Sequence, residues 1–222
     1  MNKKGSLFHI SKRDALPLPK ALLIRGGILL LALVFCLGLL PVTALADAPS
    51  GQVLYVGGVQ ISSTGYWTTD SDGNVTASTA GETPTDNYIS YDAENNVLTL
   101  HNATIRMSVS IDTNTLLAGA AIGVLNQYGD GNAELTITLE GTNTIAEVGK
   151  GIYVLASSDS TGDASLTITG DGSLDASASQ TGIWVQSNSK NAALCVENAE
   201  VTASSGVPFK NGVLVQAEDG SD

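Results

Sequence analysis

Along the second half of the chain, short apolar beats alternate with polar residues and return as a repeated paragraph. The triplets Leu98-Thr99-Leu100, Leu135-Thr136-Ile137, Leu166-Thr167-Ile168 and Leu194-Cys195-Val196 recur at steps of 37, 31 and 28 residues. A turn follows each, supplied in order by His101-Asn102, Glu140-Gly141, Gly170-Asp171-Gly172 and Glu197-Asn198, all rich in residues that tolerate positive φ. A second beat (NATI, TNTI, GSLDA, NAEV) gives Ile105, Ile145, Leu174 and Val201 equivalent roles. A third closes each unit: Gly123-Val124-Leu125, Gly151-Ile152-Tyr153-Val154, Gly182-Ile183-Trp184-Val185 and Gly212-Val213-Leu214-Val215. Three short strands in a unit of roughly 30 residues leave no room for a helix.

Such a unit shows only two or three inward residues per strand and cannot bury them alone; stacking like strands in register makes one continuous apolar column. The pattern therefore predicts an all-β chain, a right-handed parallel β-helix (β-solenoid) of about four coils over residues 98–222, the hand following from crossover chirality. Leu135, Ile137, Ile145, Ile152 and Val154 would stack under Leu166, Ile168, Leu174, Ile183 and Val185. An antiparallel sandwich is the rival, but its turns carry no repeating paragraph. Residues 47–97 read as an N-terminal β cap. It holds a hairpin turned at Glu94-Asn95-Asn96 and a mobile surface loop, WTTDSDGNVTASTAGETPTDN. Only AEDGSD follows the last strand, so that acidic tail, a partner or further chain is expected to cover the final coil's edges.

The amino terminus has a different grammar. A basic leader ends at Arg25, and an apolar run of 15 residues from Gly26 to Leu40 precedes Pro41 and the Ala44-Leu45-Ala46 triplet. That run is short for a span of about 20 residues. Residues 1–46 therefore read as a signal peptide helix cleaved after Ala46, with Ala44 and Ala46 as the recognition pair. The rival is an uncleaved anchor, which would make this segment the chain's one contact with a membrane. Either way the address is outside the cell, secreted or on the surface.

Charge sharpens the picture. Of 222 residues, 10 are Lys or Arg and 22 Asp or Glu. The first 46 hold six of the bases and one acid; the other 176 hold four bases and 21 acids, a net −17. That body repels phosphate backbones and excludes nucleic acid as a partner. With Cys36 lost on cleavage, Cys195 is left alone, so no internal disulfide forms.

Chemistry is sparse. Beyond the leader the cations are Arg106, Lys150, Lys190 and Lys210, each in a different unit, and His101 is the one histidine, in a turn slot. Asp171 and Asp175 share a coil without forming a paired-acid site. Asp70, Asp72 and Asn74 stand at positions 1, 3 and 5 of a calcium-type loop, but Val75 and Gly81 replace the glycine and glutamate such a loop needs. Calcium is the one cofactor suggested, and its ligands stay unassigned. Tyr153 and Trp184 fill identical slots of consecutive strands, and alternation sends both rings outward. With Leu125 and Leu214 they would make an apolar strip on which sugar rings stack; the plain alternative is a ladder packed under a loop. Tyr66 and Trp67 are a second such pair.

The phrases LYVGGVQI, ISYDAENNVLTLHNATI and GIYV…LTITGDGSL resemble a secreted β-helix family of Firmicutes, the carbohydrate-binding domain-containing proteins, often parts of large cell-surface proteins. The resemblance covers about Gln52 to Gln216. It implies a right-handed β-helix shaped like the pectate lyases that binds polysaccharide without necessarily cleaving it, in some members with calcium. The expectation is a bacterial, secreted or cell-surface, non-catalytic module whose partner is a polysaccharide or cell-wall glycan. A β-helix polysaccharide lyase or glycoside hydrolase, and a passive adhesin or stalk segment, are the alternatives.

Overall fold

Every regular element among the described residues is a β-strand, in keeping with the alternation and the β-branched composition. The computed structural model describes residues 51–79, 82–129, 131–208 and 210–218. The signal-peptide reading, with Ala44 and Ala46, lies outside them. Five strands come first: β1 (Gln52–Val56), β2 (Val59–Ile61), β3 (Gly65–Thr69), β4 (Val75–Ala77) and β5 (Tyr88–Asp92). Then follow β6 (Val97–His101), β7 (Thr104–Ile105), β8 (Ala120–Asn126), β9 (Ala133–Glu140), β10 (Thr142–Ala156), β11 (Ala164–Gly170), β12 (Ser173–Ser187), β13 (Ala192–Glu197), β14 (Glu200–Ser205) and β15 (Val213–Ala217).

They form two sheets. The seven-stranded sheet runs β13-β11-β9-β6-β5-β3-β4, parallel from β6 to β13 and antiparallel among β3 to β6. The eight-stranded sheet runs β14-β12-β10-β8-β1-β2, with β15 also on β12 and β7 also on β10. Here β8, β10, β12, β14 and β15 are parallel and β1 is antiparallel to both neighbours. This is a β-solenoid of about three turns. Its complete rungs are Ala133–Ala156 (β9 and the long β10), Ala164–Ser187 (β11 and the long β12) and Ala192–Ala217 (β13, β14 and β15). The unit counted as a further coil, Val97–Asn126, contributes a β7 of two residues and then a long excursion through residues 106–119.

The apolar column is as the repeat demands. Leu135, Leu166 and Leu194 are vertical neighbours, as are Ile137, Ile168 and Val196, and Ile152, Ile183 and Val213. Two alignments differ from the sequence reading. In the first unit Leu98 pairs with Ile137 and Gly123 with Tyr153, each two residues further on than the triplets suggest. A slip of two keeps every side chain on its own face, so the apolar pattern does not sense it. Leu174 stacks on Asn143 and Val201, while Ile145 stacks on Ile105 and Ala176.

Asn143 is therefore a polar residue within the column, 1% exposed, and it is satisfied. Its Oδ1 accepts the Ala103 N–H (2.9 Å), and its Nδ2 donates to the Glu140 and Ser173 carbonyls (3.2 Å each), tying three successive levels together. Beside it Gly141 turns the corner at φ +65°, where a Cβ would also strike the Asn102 side chain. The expected mobile loop is partly regular: Trp67–Thr69 belong to β3, which pairs with β4. The hairpin at Glu94-Asn95-Asn96 forms as read, with Asn96 at φ +54°.

Candidate functional site: the outer face of the seven-stranded sheet

The expected aromatic strip lies on the eight-stranded sheet and is covered. Tyr153 and Trp184 do pair, with centroids 4.7 Å apart, but Tyr153 is only 5% exposed. Their slot in the first unit is Gly123, and Leu117 from the 106–119 excursion sits against it. Leu117, Val109, Leu125 and Tyr55 close over the Tyr153 ring in a second small core. Lys150 fastens this cover, donating to the Ala118 carbonyl at 2.8 Å with its Nζ 5.0 Å from the Tyr153 ring centre. Burial holds the Lys150 ammonium below its ordinary pKa and pushes the Tyr153 phenol up, the Glu218 charge adding to the latter. Tyr153 donates to Gln186 Oε1 at 2.9 Å, whereas the buried Trp184 Nε1 has no partner among the described residues. Trp184 stays half-buried at the rim, and Leu125 is inside, not along a strip.

Tyr66 and Trp67 part company, since neighbours in a strand face opposite ways. Trp67 points inward, paired with Ile89 in the main core, and is not available as a surface platform. Tyr66 points outward and is 37% exposed.

The face that Tyr66 joins is open and polar. Register places Tyr88, His101 and Glu140 in one row across β5, β6 and β9. The next row is Tyr66, Ser90, Thr99, Thr138, Thr169 and Glu197; the one after is Asp92, Val97, Thr136, Thr167 and Cys195. Ladder spacing sets neighbours in a row about 4.8 Å apart and successive rows about 6.6 Å apart. The result is a flat grid of hydroxyls bounded by aromatics at one corner.

That corner is organised. The Tyr88 and His101 rings stack at 4.7 Å and 8°, and Tyr66 meets Tyr88 edge-on at 6.0 Å and 65°. His101 Nδ1 lies 3.0 Å from Glu140 Oε2, and the Tyr88 hydroxyl donates to the same oxygen at 3.3 Å. Among the described residues, Glu140 Oε1 accepts no hydrogen bond. Burial first, and then the Glu140 charge, hold the Tyr88 phenol above its ordinary value.

At the opposite edge of the grid is a shallow groove of about 250 Å³ lined by Asn95, Asn96, Glu134, Leu135, Thr136, Ser165 and Thr167. Its floor is fixed by Asn96, which donates to the Glu134 carbonyl (2.7 Å) and accepts the Tyr91 hydroxyl (2.8 Å). Asp92 is committed to the adjoining turn, accepting from Glu94 and Asn95, and these bonds, the Asn95 amide first, hold its carboxyl below the usual range. Asp70 is used in the same way: it accepts from the Asp72 and Asn74 backbone and the Asn74 amide. No group of three His, Cys, Asp or Glu that could hold a metal is found among the described residues.

Tyr88 and Glu134 are not singled out in the sequence, and Glu140 and Asn96 are read there only as turn residues. The signal was present in ISYDAENNVLTLHN, because a hairpin closed at Ala93–Asn96 puts Tyr88 opposite His101. The turn slots set His101 against Glu140, but the triplet alignment places the first unit two residues off, so the sequence does not by itself bring the three into one row. No family model matches the chain, and neither a curated protein nor a solved structure matches it.

Proposed function

We propose that this is a secreted or cell-surface, non-catalytic polysaccharide-binding module and that glycan lies along the outer face of the seven-stranded sheet. The observation that carries the reading is the row Tyr88–His101–Glu140 with Tyr66 beside it, set at one end of an open hydroxyl grid. Tyr66 offers an apolar ring face to sugar C–H groups, Glu140 Oε1 a free acceptor, and Thr99, Thr138, Thr136 and Thr167 hydroxyls for exchange with sugar hydroxyls. The kinship with secreted Firmicutes carbohydrate-binding β-helices, cleavage after Ala46, a right-handed winding in which Val97–Asn126 counts as an incomplete first coil, and an N-terminal cap made by β1 to β5 all belong to this proposal.

Glycoside hydrolysis is disfavoured by distance. Glu134 and Glu140 are six residues apart on one strand, about 20 Å, where paired-acid mechanisms need about 5 to 9.5 Å. Lyase chemistry would need a free base beside acids on this face; Lys150 is held under the loop, Arg106 lies 3.6 Å from Glu147, and the exposed Lys190 and Lys210 stand at the last rung and not in the Tyr88–His101–Glu140 row.

The test is binding of the full chain to a polysaccharide panel, with and without chelator. Tyr66→Ala and Glu140→Gln should each weaken binding about tenfold with unchanged circular dichroism, and Trp184→Ala should not. Binding lost in Trp184→Ala alone would return the site to the eight-stranded sheet. No binding to any glycan would leave the stalk, and release of reducing or unsaturated ends would establish an enzyme.

A further inference from the structure

We infer that the glycan taken by this face carries protonated amino groups, as an amino-sugar polymer with free amines does, and that Glu140 beside the tyrosine rings is what reads them. The inference rests on the polysaccharide reading above. Charge along the rows is of one sign: Asp92, Glu140 and Glu197 stand in those already given, and the row beyond Thr136 and Thr167 is Glu134, Ser165 and Ala193. No lysine or arginine occurs in any of these rows, and Lys150 and Arg106 go with the other sheet, on β10 and just after β7.

Glu140 is set up to take a cation. Its contacts with His101 Nδ1 and the Tyr88 hydroxyl both use Oε2, and no lysine or arginine pairs with it among the described residues. A neutral sugar hydroxyl can donate to Oε1 but leaves the carboxylate charge standing. An ammonium donates and cancels it, in a charge-assisted bond roughly twice as strong as a neutral one. A uronate would bring a second anion to the same oxygen. The aromatic corner favours the same ligand, because the outward Tyr66 ring is a π face that attracts a cation as well as C–H groups.

Position separates this from general attraction to an acidic chain. The net −17 beyond residue 46 would concentrate any polycation. That field is screened over about 10 Å at 0.1 M salt, whereas an amine on Glu140 sits within hydrogen-bond distance of one named oxygen. N-acetylation removes the charge while keeping the sugar ring and its linkage, so the acetylated and free forms of one polymer isolate the effect.

The test is titration calorimetry of the full chain with soluble oligomers of equal length made of glucosamine, N-acetylglucosamine, glucose and galacturonate. The glucosamine oligomer should bind about tenfold or more tighter than its acetylated form, with galacturonate weakest and the gap closing as pH rises until the amines are neutral. Glu140→Gln should abolish the gap, and Glu140→Lys should reverse the order in favour of galacturonate. Asp112→Asn, the same change of charge on the exposed 106–119 excursion over the other sheet, should leave the gap as it is. Equal affinity for the free and acetylated oligomers, a gap that survives Glu140→Gln, or one that Asp112→Asn narrows as much, would each overturn the inference and leave the polysaccharide reading in place. An oligolysine of matching charge bound as tightly, with the same dependence on Glu140, would overturn it too. Binding of none of the oligomers would remove both.

Discussion

Asn143 gives the sharpest test of how this column is held together. A column built by apolar burial alone would prefer leucine there, as Leu174 and Val201 in the next two levels suggest. The structure says otherwise, because Asn143 supplies the partner of the Ala103 N–H and bridges the Glu140 and Ser173 carbonyls. Glu140 O also accepts from the Asn102 N–H, so its loss is partial. An orphaned buried donor costs about 1–3 kcal/mol, and the carbonyl losses add to it. Asn143→Leu should therefore cost about 2–4 kcal/mol even though it fills the volume, with Tm lower by about 5–15 °C. Asn143→Asp keeps the acceptor for Ala103 but aims an anion at two carbonyls, which raises its folded pKa above the unfolded value of about 3.9. A raised acid pKa contributes fully below the unfolded value and is lost as pH rises through the folded one. The aspartate variant should be less stable than the parent at neutral pH, the deficit shrinking near pH ~4. Urea melts followed by circular dichroism give the energies, and exchange of the Ala103 amide reports the bond itself. An Asn143→Leu protein as stable as the parent, with Ala103 still protected, would refute the reasoning.

Two further outcomes follow from the covered aromatics and the hairpin. Tyr153→Phe removes the bond to Gln186 and should cost about 1 kcal/mol. Trp184→Phe discards an unpartnered N–H and should cost no more, despite the larger deletion, as thermal melts will show. Tyr91 is 1% exposed and burial pushes its phenol up to about 12, against 10.0 unfolded. Its contribution is complete below pH ~10 and is lost as pH climbs through ~12, so alkaline titration should show Tyr91 among the late phenols, with Tyr153 and Tyr88, and Tyr91→Phe should remove one of them together with its share of the stability loss.

The sequence revealed the stacked column because Leu135, Leu166 and Leu194 sit in identical phrases, and identical phrases stack. It misplaced the first unit because Leu98-Thr99-Leu100 fits the next level equally well at either of two even offsets. Only the corner at Asn102 and Gly141, where a specific side chain meets a specific turn, breaks that tie. The covered face was hidden for a related reason: residues 106–119 carry no repeat, so nothing in their spelling says that Leu117 folds back onto Gly123. Trp67 was misread because an aromatic pair invites attention as a pair, although adjacent strand residues never share a face. The Tyr88–His101–Glu140 row needed a hairpin and a parallel ladder at once, and the second is a long-range fact.

The corners between rungs bear on how such a chain changes over time. At Ser157–Asp163 and Asn188–Asn191 the chain leaves one level and enters the next, held by serine hydroxyls that bond to carbonyls of the level before or of the adjoining corner, as Ser160 does to Gly131 and Ser187 to Gly162. Each level speaks only to those above and below. Duplicating one whole rung would therefore lengthen both the hydroxyl grid and the apolar spine without redrawing either, making the extent of that face a property that gene duplication can adjust one storey at a time.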